Sequence, residues 1–230
     1  MTGFFTSSVF FCLFATLAAY FVGMEIKKRT GLALMNPLLI AIVIMMFVIS
    51  IFRIDYAVYE SNTKMLTSLL TPATICLAVP LYEQFSLLKK HPSAILAGIL
   101  SGVLTSLVCI FALSFLFGLD HASYVTLLPK SITSAIGMGV SQELGGYPSI
   151  TVPVILITGI LGNITAETIC RVFRITEPVA VGVAIGVSSH AIGTSKAMEI
   201  GQIQGAMSSL SIVVSGILTV FGASIFSCFL

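Results

Sequence analysis

The stretch GVSSHAIGTSKAMEIG, residues 186–201, decides how the chain is to be read. It sets His190, Lys196, Glu199 and the hydroxyls of Ser188, Ser189, Thr194 and Ser195 into otherwise apolar sequence. Carried through a bilayer on a plain helix, a charged side chain costs ~2.5–3.5 kcal/mol. Polar backbone that leaves the helix at membrane depth is tolerated only where protein encloses it or it lines a cavity. The stretch therefore predicts an interrupted helix.

Composition sets the same frame. Of 230 residues, 57% are hydrophobic and 9% charged, with mean hydropathy +1.09. A soluble domain carries roughly 25% charged residues, so most of this surface must face lipid. The apolar runs approach the ~20 residues that a helix needs to cross, and strand-like alternation is absent. The fold class is all-α and polytopic. A net charge of +2, without basic tracts interleaved with aromatics, predicts no nucleic-acid partner. The five cysteines lie scattered in apolar sequence and read as small hydrophobes, so neither a metal nor any other cofactor is expected. Lys27, Lys28 and Arg29 follow the first apolar run rather than precede it, so that run reads as a permanent span and not a signal peptide.

Six plain spans are predicted, at 3–24, 32–52, 65–82, 93–117, 149–173 and 205–229. The second is entered through Asn36-Pro37, and the third contains Pro72 and Pro80. Two segments, 123–146 and 178–204, are interrupted. The chain is expected to form a single membrane domain: residues 1–121 carry four spans, and 122–230 carry two units of interrupted segment plus span. These units resemble one another. Ala135-Ile136-Gly137 recurs 56 positions later as Ala191-Ile192-Gly193, and Glu143 is answered by Glu199 at the same offset. The match reads either as an internal repeat or as a coincidence of Gly-rich apolar sequence. In transporters, corresponding interrupted segments point to the binding site.

Lys and Arg prefer the cytoplasmic side. With both termini outside, Lys27–Arg29 and Lys89-Lys90 fall inside, and Arg171 and Arg174 do so only if 123–146 dips in and returns. The second segment then enters from the cytoplasm, giving two facing, inverted re-entrant segments. The alternative is a pair of fully crossing broken helices.

A broken helix offers unpaired N–H groups and the positive end of its dipole to an anion. The expected binding groups are Lys130, Ser131, Thr133, Ser134, His190, Thr194, Ser195 and Lys196, with the second helical half starting near Gly193 and Pro129 in the first turn of its helix. Backbone breaks are expected at Pro129, Gly137, Gly139 and Gly193. Glu143, Glu199 and Asn36 are candidates for coupling or pairing. The plainer readings are snorkelling lysines, a packing histidine, capping glutamates and glycines placed for close packing. Glu83 reads as interfacial. No HExxH motif, phosphate loop or nucleophile elbow is present in the sequence, and an enzyme is not expected.

NPLL (36–39), PLYEQ (80–84), LPKSITSAIGM (128–138), GGYPSI (145–150) and SHAIGTSKAMEIG (189–201) resemble the LrgB/CidB family. The resemblance covers nearly the whole chain. It implies a holin- or antiholin-like membrane protein that regulates murein hydrolase export and autolysis beside a small LrgA/CidA-type partner. Other members, including the C-terminal part of plastid glycolate/glycerate translocators, imply movement of pyruvate, glycolate or glycerate. Lacking the plastid form's extra spans, the chain is expected in a bacterial cytoplasmic (inner) membrane, as a homo-oligomer such as a dimer. The expected function is transport of small 2-oxo or 2-hydroxy monocarboxylates, with the holin/antiholin-like regulator as the alternative.

Overall fold

The computed structural model describes residues 8–30, 35–69 and 92–230, with the separate positions 72, 76, 82 and 89. The described residues are helical, without strands. They belong to two compact units, 1–76 and 77–230, taken here in turn.

The first unit holds α1 (Val9–Thr30), α2 (Pro37–Phe52), α3 (Tyr56–Asn62) and α4 (Lys64–Ser68). Pro37 occupies the first helical position of α2, where a missing N–H costs nothing, and the Asn36 side chain accepts the N–H of Leu38 at 2.8 Å. The start of α2 therefore falls at 37 rather than 32. Its 16 residues rise ~24 Å, short of a ~30 Å hydrocarbon core. The first helix is also displaced, and Lys27, Lys28 and Arg29 form its last turn rather than a following loop. α1 and α2 approach closely at Gly23, where a Cβ would lie 2.6 Å from the Pro37 carbonyl. Most of the expected third span, including Pro80, lies outside the described residues, as does Glu83.

The second unit holds α5 (Pro92–Phe117), α6 (His121–Leu127), α7 (Ser134–Glu143), α8 (Pro148–Val172), α9 (Pro178–Ile200), α10 (Gln202–Phe226) and a closing 3₁₀ turn (Ser227–Phe229). By length and composition, five described helices reach crossing size: α1, α5, α8, α9 and α10 with its closing turn. Length alone misleads for α9. At His190 the backbone turns to φ 42°, ψ −140°, and the chain doubles back. A Cβ on Gly193 would sit 3.0 Å from the Ile185 side chain, although eight residues of straight helix span ~12 Å. Gly182 and Met198, near opposite ends of α9, both lie against the first turn of α10. α9 is thus a hairpin whose arms, 178–189 and 191–200, each rise ~15–18 Å.

Residues 121–147 form a second hairpin. Thr126 in α6 accepts the Tyr147 N–H at 2.8 Å, and Gly137 lies beside Pro129, eight residues back, as Gly193 lies beside Ile185. Pro129 does not open the following helix. Lacking an N–H, it ends α6, the next N–H (Lys130) reaches only to Leu127 at 3.0 Å, and α7 starts at Ser134. Gly137, Gly139 and Gly193 were expected as breaks but lie inside returning arms; the breaks fall at 128–133 and at His190.

The two hairpins enter the unit from opposite ends of α10. His121 and Tyr124 donate to the carbonyls of Leu230 and Phe226, whereas α9 starts beside Gln204. Two Gly-xxx-Gly pairs hold the outbound arm of α9. Gly182 and Gly186 bring it onto the α10 backbone, while Gly98 and Gly102 of α5 receive Val183 and Val187. Around them Ile95, Ile99, Val103 and Leu107 carry the core along one face of α5.

Candidate functional site: a cavity ending at Lys130

A cavity of about 760 Å³ lies between α5, the outbound arm of α9 and the turn that joins α6 to α7. That volume falls within the ~300–1,000 Å³ usual for small-molecule sites. Its walls run from Ala94 and Glu177, at the starts of α5 and α9, to Ser106, Lys130 and Ser131. The break after Pro129 sets Lys130 and Ser131 on the connecting turn, so both side chains reach the cavity rather than a helix neighbour.

The Lys130 ammonium donates to Ser131 Oγ at 2.9 Å, and Ser106 Oγ stands 3.5 Å from the same atom. Among the described residues no carboxylate forms an ion pair with Lys130. Glu177, the carboxylate in the lining, belongs to the other end, ~18 Å away along α5 as judged from Ala94 and Ser106. A half-buried cation beside two hydroxyls, with no carboxylate paired to it among the described residues, is equipped to hold a small anion.

The other expected groups are deployed elsewhere. His190 is buried and donates Nε2–H to the Ile155 carbonyl at 3.0 Å, its ring lying over Gly159 of α8. Thr194 is buried, bonded to the His190 carbonyl at 3.0 Å and to Ser208 at 2.7 Å. The returning arm starts at residue 191, two residues earlier than expected, so the Ser195 hydroxyl is already inside it, exposed and turned onto the Ile192 carbonyl at 2.7 Å. Lys196 pairs with Glu167 at 2.5 Å and Glu199 at 3.3 Å. Thr133 and Ser134 open α7, half-buried and outside the cavity lining, Glu143 is exposed at its end, and Asn36 caps α2 in the first unit. No cluster of three or more His, Cys, Asp or Glu suited to a metal occurs among the described residues.

Sequence reasoning missed Ser101, Thr105, Ser106 and Ser188, which also line the cavity, and Asn163, which donates to the Ile192 carbonyl at 2.9 Å beside the reversal. A signal for the first three was present: Gly98, Ser101, Gly102, Thr105 and Ser106 recur at helical spacing within a span otherwise rich in Leu, Ile and Phe.

Residues 16–229 match the profile of the LrgB-like family. The chain belongs to that family. Within the matched range, residues 128–138 hold the first hairpin turn and the start of its returning arm, and residues 189–201 hold the second turn and its whole returning arm. Among relatives, the uncharacterized protein YxaC of Bacillus subtilis is 35% identical over 206 residues, 90% of each chain. The holin-like protein CidB of Staphylococcus epidermidis is 35% identical over 204 residues, 89% of each chain. The antiholin-like protein LrgB of Bacillus cereus is 31% identical over 226 residues, 98% of each chain. No solved structure matches this LrgB-family chain.

Proposed function

We propose that this LrgB-family protein is a multi-pass protein of a bacterial cytoplasmic membrane that binds small 2-oxo or 2-hydroxy monocarboxylates at Lys130 and carries them across. The observation that supports this reading is the Lys130 ammonium, unpaired with any carboxylate among the described residues and set beside Ser131 in a cavity that reaches the helix ends. On this reading the hairpins act as re-entrant segments that meet from opposite sides of the bilayer, and transport proceeds by movement of one bundle against another.

A second reading is favoured by the relatives, two of which are named holin-like and antiholin-like. On it, the protein regulates membrane permeability and murein hydrolase export as a homo-oligomer with a small LrgA/CidA-type membrane partner, and moves no defined substrate. Reconstitution separates the two. Radiolabelled pyruvate and glycolate should enter proteoliposomes saturably, with Lys130→Ala lowering uptake at least tenfold. Unselective dye leakage that ignores Lys130→Ala, with no saturable uptake, selects the second reading.

A further inference from the structure

We propose that Ser106 on α5 distinguishes carboxylates that carry an oxygen on the adjacent carbon from those that do not. This rests on the carrier reading above and adds a selectivity residue to it.

Five hydroxyls line the cavity: Ser101, Thr105, Ser106, Ser131 and Ser188. Three are turned back on their own helices. Ser101 donates to the Gly98 carbonyl at 2.9 Å and Thr105 to the Ser101 carbonyl at 2.7 Å, while Ser188 has the Ile185 carbonyl at 3.3 Å and Ser189 Oγ at 3.0 Å on its own helix. Such bonds satisfy a hydroxyl within an apolar helix and leave it little to offer a guest. Ser131 receives the Lys130 ammonium. Ser106 has Ser131 Oγ at 3.5 Å, well beyond the ~2.7–2.8 Å of a good O–H···O bond. Its hydroxyl is therefore cheaply released.

Three adjoining donors follow: Lys130 Nζ, with N–H groups beyond the one given to Ser131, Ser131 Oγ and Ser106 Oγ. A carboxylate has two oxygens and uses the ammonium and Ser131. The third donor comes from a different helix and remains for one more acceptor, on the carbon next to the carboxylate. Losing one neutral hydrogen bond of this kind changes affinity by about five- to tenfold.

The test compares pyruvate with propionate, equal in carbon count and differing in that oxygen, by isothermal titration of the purified full chain in detergent. Wild type should bind pyruvate more tightly. Ser106→Ala should weaken pyruvate about five- to tenfold and leave propionate within twofold, while Ser106→Thr, which keeps the hydroxyl, retains the preference. A thermal unfolding midpoint near wild type for each variant shows that the fold is intact. Equal weakening of both ligands by Ser106→Ala, or none, overturns the assignment. Equal wild-type affinity for the two ligands overturns it while leaving the carrier reading standing. Absence of any carboxylate binding to wild type removes both.

Discussion

The reversal of α9 depends on what its neighbour lacks. Gly159 and Gly162 of α8 have no side chains where the His190 ring and Ser189 press in; a Cβ on Gly159 would lie 2.7 Å from His190 Cε1. His190 itself holds a positive φ, which costs a non-glycine residue ~1–3 kcal/mol. Its burial and its bond to the Ile155 carbonyl offset that strain. Filling the notch with Gly159→Ala should destabilise the protein by ~1–3 kcal/mol, measured as a lower unfolding midpoint in detergent. Gly139→Ala is the control. Nothing lies within 4 Å of its would-be Cβ in α7, so the change should be neutral or stabilise by up to ~1 kcal/mol. Legibility differs between residues for a physical reason. Lys130 stood out in the sequence because a charge in apolar sequence demands an explanation. Ser106 did not, because serine in an apolar helix usually bonds its own backbone, and only the folded arrangement shows that this one faces Ser131 instead.

The elements carry the same asymmetry. Both hairpins use a glycine, Gly137 or Gly193, where the returning arm meets a residue eight positions earlier. Alanine at 137 would press mainly on the mobile end of the Ile155 side chain, whereas at 193 it meets Ser189 Cβ and the branched Ile185. Gly193→Ala should therefore lower the unfolding midpoint more than Gly137→Ala does, by ~1 kcal/mol or more. A reverse order would mean that the second hairpin is looser than its contacts indicate. Lys196 is fixed between Glu167 on α8 and Glu199 on its own arm, with the carboxylates about half exposed. A double-mutant cycle of Lys196→Met with Glu167→Gln should give a coupling of only ~0.2–1 kcal/mol. Lys196→Met should also spare carboxylate binding, in contrast to Lys130→Ala. The 56-residue sequence offset made the two interrupted segments visible, because hairpin arms of similar length need similar punctuation. It did not place the breaks. His190 turns the chain without a glycine, held by contacts with α8 that are invisible to local pattern, and Pro129, which suits either end of a helix, ends one rather than opening the next.

For the second unit as a whole, charge and cavity point to one end. Arg171 closes α8 and Arg174 follows it, Lys89 precedes α5, and the cavity walls start at Ala94 and Glu177, at that same end of the helices. Lys and Arg favour the cytoplasmic side, so this conformation should offer Lys130 to the cytoplasm. In a chain with its five native cysteines replaced, Arg171→Cys and Arg174→Cys should react with an impermeant thiol reagent only from the cytoplasmic face. Ser188→Cys, in the cavity wall, should react from that face too, and saturating pyruvate should slow it severalfold. Reaction at 171 and 174 from outside alone would invert the orientation. Reaction at 188 from the face opposite to 171 and 174 would mean that the resting cavity opens the other way. Glu177 makes the route itself testable: a carboxylate at the mouth repels an approaching anion over a Debye length of ~10 Å at 0.1 M salt. Glu177→Gln should accelerate pyruvate uptake at low ionic strength and converge on the wild-type rate as salt rises, whereas an effect independent of salt would place the anion's path elsewhere.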